Sequence, residues 1–373
     1  MANVIKKRGN NWRARVFYYD DVKKRHAKSA TFGTKSKAQK WTIDQENNLN
    51  KNRFIKSSTQ SLPEYFLEWY KAFKEPHLAN STKRRYMATS NVLKKYWKNI
   101  PLQNINYIKY QKFLNYLGDN FALETVRKIH GQTRYAINKA VQMHKISDNF
   151  TNGATVYGKA GKKANLKYLE IYDMKKLLNY CMDINYITDI SKAMVATSLL
   201  TGLRYEEVIG LTWDNINLKK HTLTVNKSYS QVDKQFQKTK NHASNRTISI
   251  NRTLVELFKK VQIIQGKFLL KHGYQNNNNF VFLNRFCNII SSGSINKSLK
   301  YYCNHLGIKQ ITFHGLRHTH ASYLISQNVN IQYVSKRLGH SSVSITQDVY
   351  THLLKDKETE DSNKTMQILD NIN

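Results

Sequence analysis

Residues 314–320 read HGLRHTH, three histidines and one arginine within seven positions. On a helix His314 and Arg317 lie three apart and face the same way, with His318 one turn beyond His314. Two chemistries compete for such a cluster: a metal site, or a cradle for an anionic phosphate. The histidines have the spacing of H-E-x-x-H, but its glutamate is missing and Arg317 stands beside the would-be metal. A neighbouring guanidinium opposes a dication, whereas its fork of donors matches phosphate oxygens. The anion reading takes precedence, and no metal is expected. His320 falls between Leu316 and Leu324 at four-residue spacing and reads as a packing residue. His318 reads as a structural, hydrogen-bonding histidine.

The rest of the chain supplies the anion. It has 60 Lys+Arg against 25 Asp+Glu, a formal net charge of +35 over 373 residues. Such a charge repels itself in the folded state unless a polyanion offsets it, and it is spread along the chain instead of gathered in one tail. Nucleic acid fits that pattern better than an acidic peptide or a membrane patch. The length exceeds one comfortable core, so two or three domains are expected. Cys181, Cys287 and Cys303 show no disulfide framework and imply a reducing compartment. The N-terminus lacks the apolar stretch of a signal peptide, and no apolar run is long enough to span a bilayer. The expected setting is the cytoplasm of a bacterium, or its nucleoid.

Residues 1–55 read as a small basic unit: strands near Val4, in NNWRARVFYYD and in HAKSATF, then a helix with Thr34 near its start. Arg13, Arg15, Lys23, Lys24 and Arg25 would let a strand face enter a DNA groove. Residues 56–61 read as a linker. Residues 62–150 carry four helical stretches, LPEYFLEWYKAF, STKRRYMATSNVLKKYW, YIKYQKFLNYLGDN and ALETVRKIHGQTRYAINKAVQMH, with Ser81 and Thr82 as N-caps of the second. Aromatic stripes here read as core, and the basic face with Lys83, Arg84 and Arg85 reads as a DNA contact. Residues 151–165, TNGATVYGKAGKKAN, are glycine-rich and basic without hydrophobic period, an expected linker along phosphates through Lys159, Lys162 and Lys163. G-x-x-x-x-G-K-[ST] is absent from it, so no ATP is implied. Residues 166–355 are mostly helical, interrupted by three expected strands, HTLTVNKS, KQFQK and NRTISI. The tail, 356–373, is polar and expected to be mobile or to dock on a neighbour.

A second arginine, Arg204, follows the Thr-Gly turn of SLLTGLRYEEVIGLTW, with Glu207 one helical turn later. Downstream in order come QKTKNHASNRTISI, HGLRHTH, RLGH and TQDVYTH. This ordered set resembles the tyrosine recombinases, specifically integrases of the lambda phage and integrative-element type. Each motif alone is weak; together, in this order and spacing, they cover nearly the whole chain. The resemblance implies a mainly α multidomain fold with small β-sheets: a three-stranded sheet plus helix that binds arm-type DNA sites, a helical core-binding domain of SAM-like type, and a mixed α+β catalytic domain.

The implied function is a site-specific integrase that cleaves and rejoins DNA through a covalent 3′-phosphotyrosine. The implied residues are Arg204, Lys238, His314, Arg317, His340 and the nucleophile Tyr350. A phenol with a pKa near 10 gives little phenolate at neutral pH, and charge builds on the nonbridging oxygens. Arg204 and Arg317 would clamp those oxygens, and His340 would add a hydrogen bond. His314 would assist proton removal or position the phosphate. Tyr350 would store the bond energy covalently, so no cofactor is needed. The lysine fits less tightly: Lys238 in QKT matches the family dipeptide, while Lys240, two residues on, is a DNA-binding candidate on the same side of the strand. Glu207 would orient the active-site helix. Implied partners are double-stranded attachment-site DNA, further copies of the chain in a tetrameric synaptic complex, an excisionase and a host DNA-bending protein. Alternatives are a resolvase or invertase of the same chemistry, or a catalytically silent DNA-binding regulator on this scaffold.

Overall fold

The computed structural model describes residues 4–19, 25–50, 59–160, 168–238, 242–347, 362 and 365–370. The chain divides into two compact units, Met1–Gly161 and Lys162–Asn373. Among the described residues no helix is long and apolar enough to cross a membrane.

The first unit opens with an antiparallel meander of β1 (Val4–Arg8), β2 (Asn11–Tyr19) and β3 (Arg25–Phe32), followed by α1 (Lys35–Asn50). Strand alternation divides β2: Ala14 and Val16 are buried, as is Ala38 of α1, while Arg15 is exposed. Arg13 pairs with Lys6 and Thr31 across the sheet and reaches Ser29 Oγ at 3.3 Å. The Arg25 guanidinium lies 4.1 Å from the centre of the Phe17 ring. Thr34 Oγ1 accepts from the Lys37 N–H, as expected of a helix start.

Four helices follow: α2 (Leu62–Phe73), α3 (Asn80–Trp97), α4 (Tyr107–Asn120) and α5 (Leu123–Gln142). Their aromatic stripes form a core in which Tyr65, Phe66, Tyr70, Trp97, Tyr110 and Phe113 are almost wholly buried. Arg84 and Arg85 remain exposed on α3, with Lys83 half-buried. The expected caps at Ser81 and Thr82 are not used. The helix starts earlier, at Ala79, whose carbonyl receives the N–H groups of Thr82 and Lys83. A helix turn can begin on backbone bonding alone, so hydroxyls one turn in lose the capping geometry.

Residues 151–160, expected as part of a linker, are instead fixed to this bundle. Tyr157 donates its hydroxyl to the Asn115 carbonyl and Asp119, and Thr155 and Gln111 exchange two hydrogen bonds of 2.9 Å. Val156 packs on the helical core, and the backbone of Lys159 bonds to Phe121 and Leu123. These are mostly backbone and side-chain polar bonds, which leave no periodic signature in the sequence.

The second unit holds α6 (Ile171–Met182), α7 (Ile190–Thr201) and the short α8 (Tyr205–Ile209), then β4 (Ile216–Asn217), β5 (Thr222–Val225), β6 (Lys227–Ser230), β7 (Gln235–Lys238) and β8 (Arg246–Ser249). Helices α9 (Arg252–His272), α10 (Ser292–His305), α11 (Phe313–Ser326) and α12 (Ile331–Leu338) complete it, and within the tail residues 365–370 are helical. Among the described residues the three expected strands become four, β5 to β8, and the unexpected β4 joins them, in two sheets. HTLTVNKS splits at Asn226: β5 pairs with β4 and β8, whereas β6 pairs with β7 as a separate hairpin. Partner choice, not alternation, makes that break. Helix α7 is buried nearly all round, with Ala193, Met194, Val195, Ala196 and Leu199 shielded completely, so its C-terminus is delivered to the centre of the unit.

Candidate active site

Helix α7 ends at Gly202, in a left-handed conformation with φ 70°. A Cβ there would stand 2.6 Å from Leu338 Cδ2 and 2.8 Å from His320 Cδ2, so both conformation and space require glycine. The carbonyl of Gly202 accepts from Arg317 Nη1 at 2.8 Å, and the Arg317 residue is only 3% exposed. Two residues after the glycine, Arg204 sits just before α8. Glu207 reaches back to its N–H and its Nη1, both at 2.9 Å. Arg204 Nη2 bonds the Gly339 carbonyl at 3.3 Å, and its side chain keeps 30% exposure. Gly339 closes α12 with φ 72°, and His340 follows it.

The two imidazoles report how closely the cations gather. Burial and then the charges of Arg317, Arg204 and Arg246 hold His340 down to about 3, and His318 adds to the effect. Its Nδ1 is 2.8 Å from Thr346 Oγ1. The outer edge of His314 is exposed, yet surrounding atoms desolvate the ring. That desolvation, with Arg317 and Arg204, lowers its pKa below 6.5 against the opposing charge of Glu206. Both rings are therefore neutral at neutral pH. His314 meets His318 edge-to-face, with ring centres 4.9 Å apart. Among the described residues no group of three or more His, Cys, Asp or Glu side chains is arranged to hold a metal ion.

Of the sequence-predicted residues, Arg204, His314, Arg317 and His340 converge in this way. Tyr350, Lys240, Lys23, Lys24, Lys162 and Lys163 lie outside the described residues. For Lys238 only the backbone is described: it ends β7, opposite Lys227 in the hairpin. Arg13, Arg15, Arg25, Lys83, Arg84, Arg85 and Lys159 belong to the first unit. His320, expected only to pack, is buried but bonded at both nitrogens, to the Leu199 carbonyl at 2.9 Å and to Arg337 Nε at 3.2 Å.

Sequence reasoning missed Arg246 and Arg337. Arg246 meets Glu207 with two prongs, at 3.1 and 3.0 Å, and also bonds the carbonyls of Ser244 and Arg337. Burial would raise the Glu207 pKa, but the bonds and charge of Arg246, then Arg204, outweigh it and hold the carboxyl below 4.5. An arginine in a short polar strand gives no sign in the sequence that it will be buried.

Residues 167–357 match the Phage integrase family, and residues 62–156 match the Phage integrase SAM-like domain. The chain belongs to the phage integrase family. It is 25% identical over 336 residues to the integrase of Staphylococcus phage L54a, a match covering 84% of this chain and 94% of that one. It is 32% identical over 183 residues to the ICEBs1 integrase of Bacillus subtilis, covering 48% of this chain and 49% of that one. The Tn1549 transposon integrase, solved with a circular intermediate DNA, superposes with a TM-score of 0.64 at 15% identity, over 78% of this chain and 95% of that chain. That last likeness is one of fold. The activity of this recombinase is tyrosine-type site-specific recombination.

Proposed function

We propose that the chain integrates a phage or mobile element into DNA, acting through Tyr350 with Arg204, Arg317, His314, His340 and Lys238. The observation that carries this reading is that Arg317 bonds the Gly202 carbonyl, Arg204 follows two residues later and bonds the Gly339 carbonyl, and His340 comes next, which gathers these groups at one place on the second unit. Fixed cations suit a phosphodiester whose nonbridging oxygens gain charge during attack.

In this mechanism Arg204 and Arg317 hold the two nonbridging oxygens. His340 pairs its Nδ1 with Thr346 Oγ1, and in the tautomer that carries its proton on Nε2 the ring donates to one of the same oxygens. His314, neutral, takes the phenolic proton as Tyr350 attacks phosphorus. The Tyr350–phosphorus bond forms as the bond to the 5′ oxygen breaks, and Lys238 gives that oxygen a proton. Rejoining reverses each step, so bond energy is conserved in the phosphotyrosine. Residues 1–55 bind arm-type sites through Arg13, Arg15, Lys23, Lys24 and Arg25. Residues 62–150 and 166–355 bind the core site as the core-binding and catalytic domains, and copies of the chain assemble on it. The setting is the cytoplasm.

Tyr350→Phe tests the reading. Binding to a nicked core substrate should persist while covalent adducts disappear from a denaturing gel. An adduct that survives the substitution moves the nucleophile elsewhere.

A further inference from the structure

Helix α7 ends with carbonyls that no helical N–H can reach, because the chain turns away at Gly202. Side chains from two other helices take them. His320 of α11 bonds the Leu199 carbonyl through Nδ1, and Arg337 of α12 bonds the Leu200 carbonyl through Nη2 at 3.4 Å. Arg337 also gives Nε to His320 Nε2 and Nη1 to the Ser249 carbonyl of β8 at 3.1 Å. A donor at Nδ1 and an acceptor at Nε2 specify one neutral tautomer of His320. One guanidinium thus joins α7, α11, β8 and its own helix.

The groups tied down are the ones from which the reacting side chains hang. Two residues beyond Leu200, the carbonyl of Gly202 holds Arg317. Two residues beyond Arg337, the Gly339 carbonyl meets Arg204, and His340 follows. The backbone carbonyl of Arg337 is itself held by Arg246 Nε at 2.7 Å. The left-handed turn at Gly202 packs directly on His320 and Leu338, with no room for a methyl group. A shift of Arg337 or His320 is therefore passed to Arg317 on one side and to His340 on the other.

We propose that Arg337, half-buried, and His320, buried, are positioning residues for strand cleavage, a strut that sets where Arg317 and His340 stand without touching DNA. The inference rests on the reading of Arg317 as a clamp on a nonbridging oxygen. A guanidinium displaced by about 1 Å costs on the order of 100-fold in a reaction that depends on fixed geometry. Binding, which sums many phosphate contacts, is little affected.

The test uses the full chain and two nicked core-site substrates, one with a normal scissile phosphate and one with a methylphosphonate there. The methyl group removes the charge that the arginines neutralise, so a substrate bearing it no longer needs a well-placed Arg317. Arg337→Lys keeps the charge but loses the fork. His320→Asn keeps a donor near Nδ1 and withdraws the acceptor from Arg337. Single-turnover adduct formation on the normal substrate should fall roughly 10- to 100-fold in each variant. On the methylphosphonate each should come within about threefold of the wild type, with unchanged affinity for the core site. Equal losses on both substrates indicate general damage and overturn the proposal, as does an unaltered rate on the normal one. If Arg337→Lys does not fold, His320→Asn decides by the same comparison. Arg317→Ala is the control: rescue of it without rescue of the strut variants refutes the strut alone. Failure to rescue Arg317→Ala refutes the clamp, and the strut with it.

Discussion

Glu207 and Arg246 face each other as a two-pronged ion pair, with side chains 4% and 5% exposed. A charged pair taken so far from water is held because each member finds bonds it would otherwise lack. Removing one member strands the other. Arg246→Ala should lower the unfolding free energy of the full chain by about 3–5 kcal/mol, read by urea denaturation near pH 7. The deficit has a direction in pH. Because the folded pKa of Glu207 is held below 4.5, its contribution is complete above that value and is lost as pH falls through the folded one. The gap between wild type and variant should narrow on acidification, and a gap that widens contradicts the pairing.

His320 shifts the acid limb in a second way. Burial first, then the charge of Arg337, hold it down to about 3, against an ordinary value of 6.5. Between those values the unfolded chain binds a proton that the folded chain refuses, so stability rises with pH there and levels off above 6.5. The full contribution approaches 1.4 kcal/mol per pH unit, about the value of one proton. His320→Asn should flatten the stability profile by about that slope, in thermal or denaturant unfolding followed across acidic pH. An unchanged slope would mean that the ring is protonated in the fold.

Gly202→Ala should cost both stability and rate. The left-handed backbone costs about 1–2 kcal/mol for any side chain, and overpacking against His320 and Leu338 adds about 1–3. Because the Gly202 carbonyl holds Arg317, single-turnover cleavage should fall along with the urea midpoint. Wild-type values for both would show that the turn has slack.

The general acid is testable through its leaving group. A 5′ thiolate leaves without help from an acid, whereas an alkoxide does not. Lys238→Ala should cleave a normal substrate poorly, by roughly 10²–10⁴-fold, and recover most of its rate on a bridging phosphorothiolate. Arg204→Ala should not recover. Rescue of Lys240→Ala, with Lys238→Ala like wild type, would move the assignment by two residues.

Removal of residues 1–55 should spare cleavage of a short core site and abolish integration on a full attachment site. Those residues form a sheet and helix of their own and carry none of the proposed catalytic set. Binding of arm DNA by the full chain should weaken steeply with salt, as phosphate contacts release counterions. Equal integration by the shortened chain sinks the arm-binding assignment.

By itself the sequence determined what short-range patterns encode. The helical period delimited α2 and α4, and strand alternation exposed the basic meander. The order TGLR, HGLRH, LGH and VYTH points to the recombinases. Tertiary structure decided what depends on distant partners. Arg246 and Arg337 stand in polar stretches that look solvated, and only distant partners, Glu207 for Arg246 and the Leu200 and Ser249 carbonyls for Arg337, bury the first and half-bury the second. His320 looked like filler because its two bonds go to residues 121 positions before it and 17 after it. The stretch 151–160 looked like a linker because polar bonds, not apolar spacing, hold it down. Asn226 ends a strand because its two sides find different neighbours. Periodicity is a local property of the chain, whereas burial of a charge or the choice of a strand partner belongs to the assembled fold.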